Sequence, residues 1–198
     1  MPRFLHAMCG LAARQRTTLL FAEADWEEVR LDPSPEAAPD IQDGFPEMRA
    51  VADASCDAVF TAHSLERLYP HQVMTALGNC LRVLKEDGYM VVICADIQQA
   101  CAMIAQDDPL ATAYDSPAGA VTPLDILYGF RPALAAGHQE YACHCGFTAT
   151  VLMNSLARSG FGTVWSSRNQ QAFSMAAIAT RQKRSKAFLV ELARQHFG

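Results

Sequence analysis

The chain has 198 residues, long enough to bury a sizeable core as one domain spanning 1–198. Half of it is apolar and 19% is charged, which excludes a disordered polyelectrolyte. A formal net charge of −5 argues against a nucleic-acid partner, and the apolar runs reach strand length rather than a membrane span.

The first element is FLHAM, an apolar run at residues 4–8. It stands where a leader peptide would, but His6 interrupts it and no cleavage-like stretch follows, so it reads as a strand. A helix is expected from Gly10 to Ala22. WEEVRLD then gives a second strand that stops at Asp32. The proline-dense DPSPEAAPD is loop, with a short third strand near Asp40–Gln42. Residues 43–56 carry turn formers throughout and predict a degenerate helix or none. AVFTA, residues 58–62, reads as a buried strand followed by His63.

The clearest helix starts at Pro70, which is acceptable in a first turn. Val73, Met74, Leu77, Cys80, Leu81 and Leu84 share one stripe, with Gly78 inside it and Gly88 as the expected stop. YMVVICA, residues 89–95, is continuously apolar and β-branched, as in a strand covered on both faces. It ends at Asp96, and a helix is expected over 97–106. Residues 107–146 hold four prolines and little periodicity and read as an irregular insertion over one end of the sheet. Thr148 then looks like an N-cap, with Phe147 and Leu152 spaced as a hydrophobic staple and Gly160 as the stop. Two strands, 162–167 and 172–180, form an antiparallel hairpin before a helix capped near Ser185. Arg181, Lys183, Arg184 and Lys186 read as a solvated junction ahead of that helix.

This order predicts a three-layer α/β/α domain with a mainly parallel sheet and an antiparallel C-terminal edge. In such sheets ligands bind outside the carboxyl ends of the strands, so Asp32, His63 and Asp96 mark the expected site. Asp32 stands where an acid accepts hydrogen bonds from a ribose, or else caps a turn into Pro33. Seven cysteines without framework spacing read as reduced thiols in a cytoplasmic protein. Cys143-His144-Cys145, with His138, falls short of the ligand pairs of a structural zinc site, so no metal is expected. The apolar hairpin and terminal helix offer a surface for a homodimer.

The segment VADASCDAVFTAHSLERL (51–68), the helix end LRVLKEDG (81–88) and the strand after it resemble class I S-adenosylmethionine-dependent methyltransferases. They are most similar to small methyltransferases with an S-x-H-x-L-E-H segment after the fourth strand and R-V-L-K-P-G-G at the next helix end. The likeness extends to VRLD (29–32), GFT (146–148) and the A-x-S-G-F turn at 157–161. It implies the Rossmann-like class I fold and S-adenosylmethionine as cofactor. It further implies that Met8, Cys9 and Gly10 wrap the methionine part, that Asp32 holds the ribose and Asp43 lies near the adenine. His63 and Ser64 would line the reactive methyl. Two departures stand out. The family's G-C-G loop is Met8-Cys9-Gly10 here, and its E-H is Glu66-Arg67. The first implies weakened cofactor binding and the second an altered substrate side.

Methyl transfer mainly requires alignment, with a base only where the nucleophile arrives protonated. His63 is the candidate base, or a structural cap of the next helix. With the first strand at the start of the chain, the 107–146 insertion is expected to supply the acceptor contacts, with Tyr128, His138 and Tyr141 as pocket candidates. The expected activity is methylation of a small molecule or glycan-like acceptor. The alternative is an inactive methyltransferase-like protein serving as a binding or scaffolding partner.

Overall fold

The computed structural model describes residues 1–23 and 25–198. The strands are β1 (Arg3–Ala7), β2 (Glu27–Asp32), β3 (Ile41–Gln42), β4 (Cys56–Ala62), β5 (Leu84–Ala95), β6 (Tyr114–Ser116), β7 (Gly119–Val121), β8 (Thr163–Asn169) and β9 (Ser174–Thr180). The helices are α1 (Leu19–Ala22), α2 (Pro70–Val83), α3 (Ile97–Ile104), α4 (Pro123–Tyr128), α5 (Arg131–Ala135), α6 (Ala149–Arg158) and α7 (Lys186–Phe197). Seven strands form one sheet in the order β3-β2-β1-β4-β5-β9-β8. The first five pair in parallel, and β9 joins β5 antiparallel with β8 at the edge. Strand order reverses between β1 and β4, so a crevice opens where both strands end.

Strand periodicity explains the two cores. Leu5, Ala7, Val59, Met90, Val92, Ala177 and Ala179 face one side and meet α2 and α6 through Leu77, Cys80, Leu152 and Leu156. The alternate residues Phe4, Ala58, Phe60, Tyr89, Val91 and Ile178 face the other side with Phe21, Trp26 and Leu192. Covering on both faces is why β5 reads as an unbroken apolar run. The α2 stripe is buried at Val73, Leu77 and Cys80, whereas Met74 lies at its exposed margin. Thr148 and Ser185 cap α6 and α7 by accepting from Val151 N and Phe188 N.

Three expectations change. The helix over 10–22 shrinks to a 3-10 turn at Arg14–Arg16 and the single turn α1. Side chains take over its backbone groups: Thr17 Oγ1 donates to Arg14 O (2.7 Å) and Arg14 Nε to Phe21 O (2.7 Å), while Thr18 is drawn to His196. Gly88 does not stop α2, which ends at Val83. It lies within a bulge of β5, where an added Cβ would sit 2.9 Å from Lys85 O and 3.0 Å from Asp57 O. Close backbone approach, not a left-handed cap, calls for glycine there.

The 107–146 segment is not irregular. It folds a β6–β7 hairpin, α4 and α5 around Val121 and Ile126, which pack on Ala100 and Phe173. A capping box of Thr122 and Asp125 starts α4, and Arg131 binds the buried Asp125 carboxylate at 2.8 Å. That guanidinium and the Thr122 hydroxyl outweigh desolvation and hold the carboxyl down to about 2. Among the described residues no helix is long and apolar enough to cross a membrane.

Candidate functional site

A cavity of about 420 Å³ opens at the carboxyl ends of β1 and β2. Its sheet side comprises Met8, Gly10, Leu11, Asp32 and the loop after it, and its outer side comprises Phe130, Ala133, His138, Glu140 and Tyr141. Arg67, just beyond β4, joins the lining. The sheet brings the first side together because β1 and β2 pair in register, Ala7 opposite Leu31.

Asp32 is 5% exposed. Its Oδ2 accepts from Gly10 N (2.9 Å) and its Oδ1 from Ser34 N (2.9 Å). A carboxylate has about four acceptor positions, so two remain for a ligand's hydroxyls. The Asx-turn reading and the ribose reading of Asp32 are therefore compatible. Gly10 stands at φ +51°, a conformation that suits glycine. Arg30 locks both loops of this wall: its guanidinium donates to Gly10 O (2.7 Å), Ala12 O (2.8 Å) and Ala37 O (3.1 Å). Nothing in VRLD showed that role, because the partners are carbonyls of two separate loops.

Met8 also takes a left-handed conformation, φ +56°, its N–H bound to Leu31 O at 2.8 Å. For a side chain this costs roughly 1 kcal/mol or more. Met8 packs on the core and lines the cavity, taking up space where the resembling family has glycine. Cys9 points into the core, and burial pushes its thiol up to about 11.

Beyond β4 the backbone turns sharply at His63, φ +51°. His63 is half-exposed, and its Nδ1 lies 3.3 Å from Glu66 Oε1. Glu66 is buried, accepts Ala95 N at 3.1 Å, and leaves Oε2 without a partner among the described residues. Burial disfavours its charge, but the His63 hydrogen bond and charge and the backbone donors outweigh that and lower the carboxyl below its usual range. An ionised Glu66 only accepts, so Nδ1 is the donor in this bond, and when the ring is neutral Nε2 carries the free lone pair. A carboxylate-oriented imidazole at a strand end can hold a proton for a neighbouring nucleophile. The sequence showed His63 but not its partner, although spacing i, i+3 across a tight turn was a usable signal.

His63 and Glu66 stand beside the cavity wall residue Arg67 in sequence but do not themselves line the cavity, and other expected site residues go elsewhere. Ser64 is buried, with its hydroxyl donated to Ala62 O (2.9 Å). Asp43 caps a turn, accepting Gly44 N (2.7 Å) and Ala50 N (2.8 Å), and does not line the cavity. Asp96 is fully buried, accepts Gln98 N (3.1 Å) and pairs with Arg168 (2.5 Å). His138 and Tyr141 do reach the cavity, but Tyr128 faces a separate hollow with Ile97, His144 and the thiols of Cys143 and Cys145. Burial raises both thiols to about 11, so they stay protonated at neutral pH. All seven cysteines are free.

Residues 9–92 match the family described as Methyltransferase domain. None of the curated proteins compared matches the sequence. Among solved structures, a SAM-dependent methyltransferase from Thermotoga maritima aligns with TM-score 0.59 at 12% identity, over 92% of this chain and 83% of that one. A SAM-dependent methyltransferase from Methanosarcina mazei gives 0.59 at 14%, over 92% and 93%. The 1,6-didemethyltoxoflavin-N1-methyltransferase of Burkholderia thailandensis, solved with bound 1,6-didemethyltoxoflavin and S-adenosylhomocysteine, gives 0.58 at 14%, over 92% and 72%.

Proposed function

We propose that this chain, which has the fold of the class I S-adenosylmethionine-dependent methyltransferases, transfers a methyl group from S-adenosylmethionine to a small molecule or glycan-like acceptor. One observation carries the reading: a buried Asp32 at the end of β2, answered among the described residues only by backbone amides, faces a cavity at the sheet's switch point. S-adenosylmethionine supplies an already activated methyl that leaves a neutral thioether behind. The chain's part is to bind and align. Asp32 holds the ribose hydroxyls, and Gly10 lets the backbone come close. Arg30 keeps the two loops at a fixed separation. His63, oriented by Glu66, takes a proton at Nε2 when the acceptor arrives protonated. Phe130 and Ala133 at α5, with Tyr141 after it, form the outer wall of the cavity against which an acceptor is placed. The free thiols support a cytoplasmic location.

The left-handed Met8 and the one-turn α1 favour a second reading, a methyltransferase fold retained as a binding or scaffolding partner. Calorimetric titration with S-adenosylmethionine and S-adenosylhomocysteine separates the two. The first reading expects binding of both ligands, weakened at least tenfold in Asp32→Asn. Absence of binding at millimolar ligand would overturn it in favour of the second.

A further inference from the structure

Arg67 is a cavity-wall residue to which the proposed function assigns no role. It closes the 3-10 turn Leu65–Arg67 after β4, and its backbone N–H is bound to Ser64 O at 3.2 Å. The side chain is half-buried and its guanidinium lies 4.6 Å over the centre of the Tyr141 ring. None of its five N–H donors meets a side-chain or backbone acceptor among the described residues, and no carboxylate lies within ion-pair distance. Glu140, on the same wall, is paired with His138 at 3.1 Å instead.

Most other arginines of the chain spend their forks. Arg30 binds three carbonyls, Arg82 binds Asp53 and two carbonyls, Arg131 binds Asp125 and Arg168 binds Asp96. A guanidinium fixed by a ring on its face, with its edge donors free toward a cavity, is preorganised for a planar anion. Phe130, Ala133 and Tyr141 add apolar surface to the same cavity, alongside His138 and Glu140. Asp32 and Glu36 make the wall after β2 acidic, and Glu140 near Arg67 is paired with His138, so Arg67 is the permanent cation of the lining and the one that attracts an anionic group.

We infer that the acceptor is a small apolar molecule bearing a carboxylate, which Arg67 binds through its guanidinium edge while Tyr141 holds the side chain in place. This rests on the methyltransferase reading for the word acceptor; the carboxylate site itself does not.

The test uses benzoate and its neutral isostere benzamide, titrated by NMR into the full chain with and without saturating S-adenosylhomocysteine. Benzoate is expected to bind at least tenfold more tightly than benzamide. Arg67→Gln is expected to abolish that preference, and Arg67→Lys, which keeps the charge but not the fork, to retain part of it. Unfolding midpoints report whether each variant is folded. Equal binding of benzoate and benzamide, no binding of either, or an undiminished preference in Arg67→Gln would each overturn the inference. Failure of S-adenosylhomocysteine to bind would instead count against the methyltransferase reading, since the benzoate arm without it still decides the role of Arg67.

Discussion

Asp32 ends β2 and Asp96 follows β5, with β1 and β4 between them in the same sheet, and both are buried, 5% and 0% exposed. Their surroundings differ in one respect. Asp96 is answered by a full positive charge, the Arg168 guanidinium, and by an N-cap bond to Gln98. Asp32 is answered by two neutral amides and lines the cavity. A carboxylate already paired with a guanidinium has its charge compensated and little left to offer a ligand. One held only by amides keeps both acceptor capacity and field. The sequence placed the two acids alike, at strand ends. What separates them is the partner, and the partner of Asp96 lies 72 residues away.

Exchanging the two acids gives the largest expected effect. Asp96→Ala leaves Arg168, which is partly solvated, without its partner, and removes a helix cap. The expected loss of stability is about 3–4 kcal/mol, read by urea denaturation, with affinity for S-adenosylhomocysteine unchanged in the folded fraction. Asp32→Asn keeps the shape and is expected to cost about 1 kcal/mol, while losing at least tenfold in that affinity. If Asp96→Ala lost the ligand and Asp32→Asn lost the stability, the assignment of roles would be reversed.

His196 extends the contrast to groups held for structure alone. It is buried between Thr18 Oγ1 (2.6 Å) and Tyr89 Oη (3.1 Å), and edge-on to Phe21. Burial lowers its pKa from 6.5 to about 4. The unfolded chain therefore takes up a proton near pH 6.5 that the folded chain refuses until about pH 4. Its contribution to stability is complete above pH 6.5, falls as the pH drops through that window, and is constant below it. The expected loss is about 3 kcal/mol. His196→Gln should be less stable at pH 7 and show no such decline between pH 6.5 and 4, measured by urea midpoints at stepped pH. A variant that keeps the wild-type acid limb would show that another group carries it.

Long periodic elements are legible in the amino-acid sequence. The α2 stripe and the β5 run have enough residues for periodicity to be decisive, and they frame the switch point where the site lies. The short elements of the 107–146 segment are not legible in the same way. The β6–β7 strands, α4 and α5 are too short to show a period, and they hold together through the Thr122–Asp125–Arg131 contacts and packing on Phe173. The helix expected over 10–22 fails for the opposite reason: local propensity allows it, but Thr17 and Thr18 give their hydroxyls to other partners. In the site, residue types at strand ends are readable, but Arg30, Glu66 and Arg67 owe their roles to atoms on other segments.

The smallest effect on stability, and the sharpest on function, is expected at Met8. Glycine there would relieve a left-handed backbone worth roughly 1 kcal/mol. It would also give up part of a half-buried side chain and add freedom to the unfolded chain, each of comparable size and opposite sign. These contributions nearly cancel, so Met8→Gly should unfold within about 1 kcal/mol of the wild type. The cavity, however, gains room beside Gly10, at the wall that Asp32 and Arg30 hold in place. Calorimetry should therefore show tighter binding of S-adenosylhomocysteine with the unfolding midpoint little changed. Unchanged affinity in Met8→Gly would mean that the Met8 side chain does not obstruct the ligand, and that the left-handed turn, not the glycine, is what this loop needs.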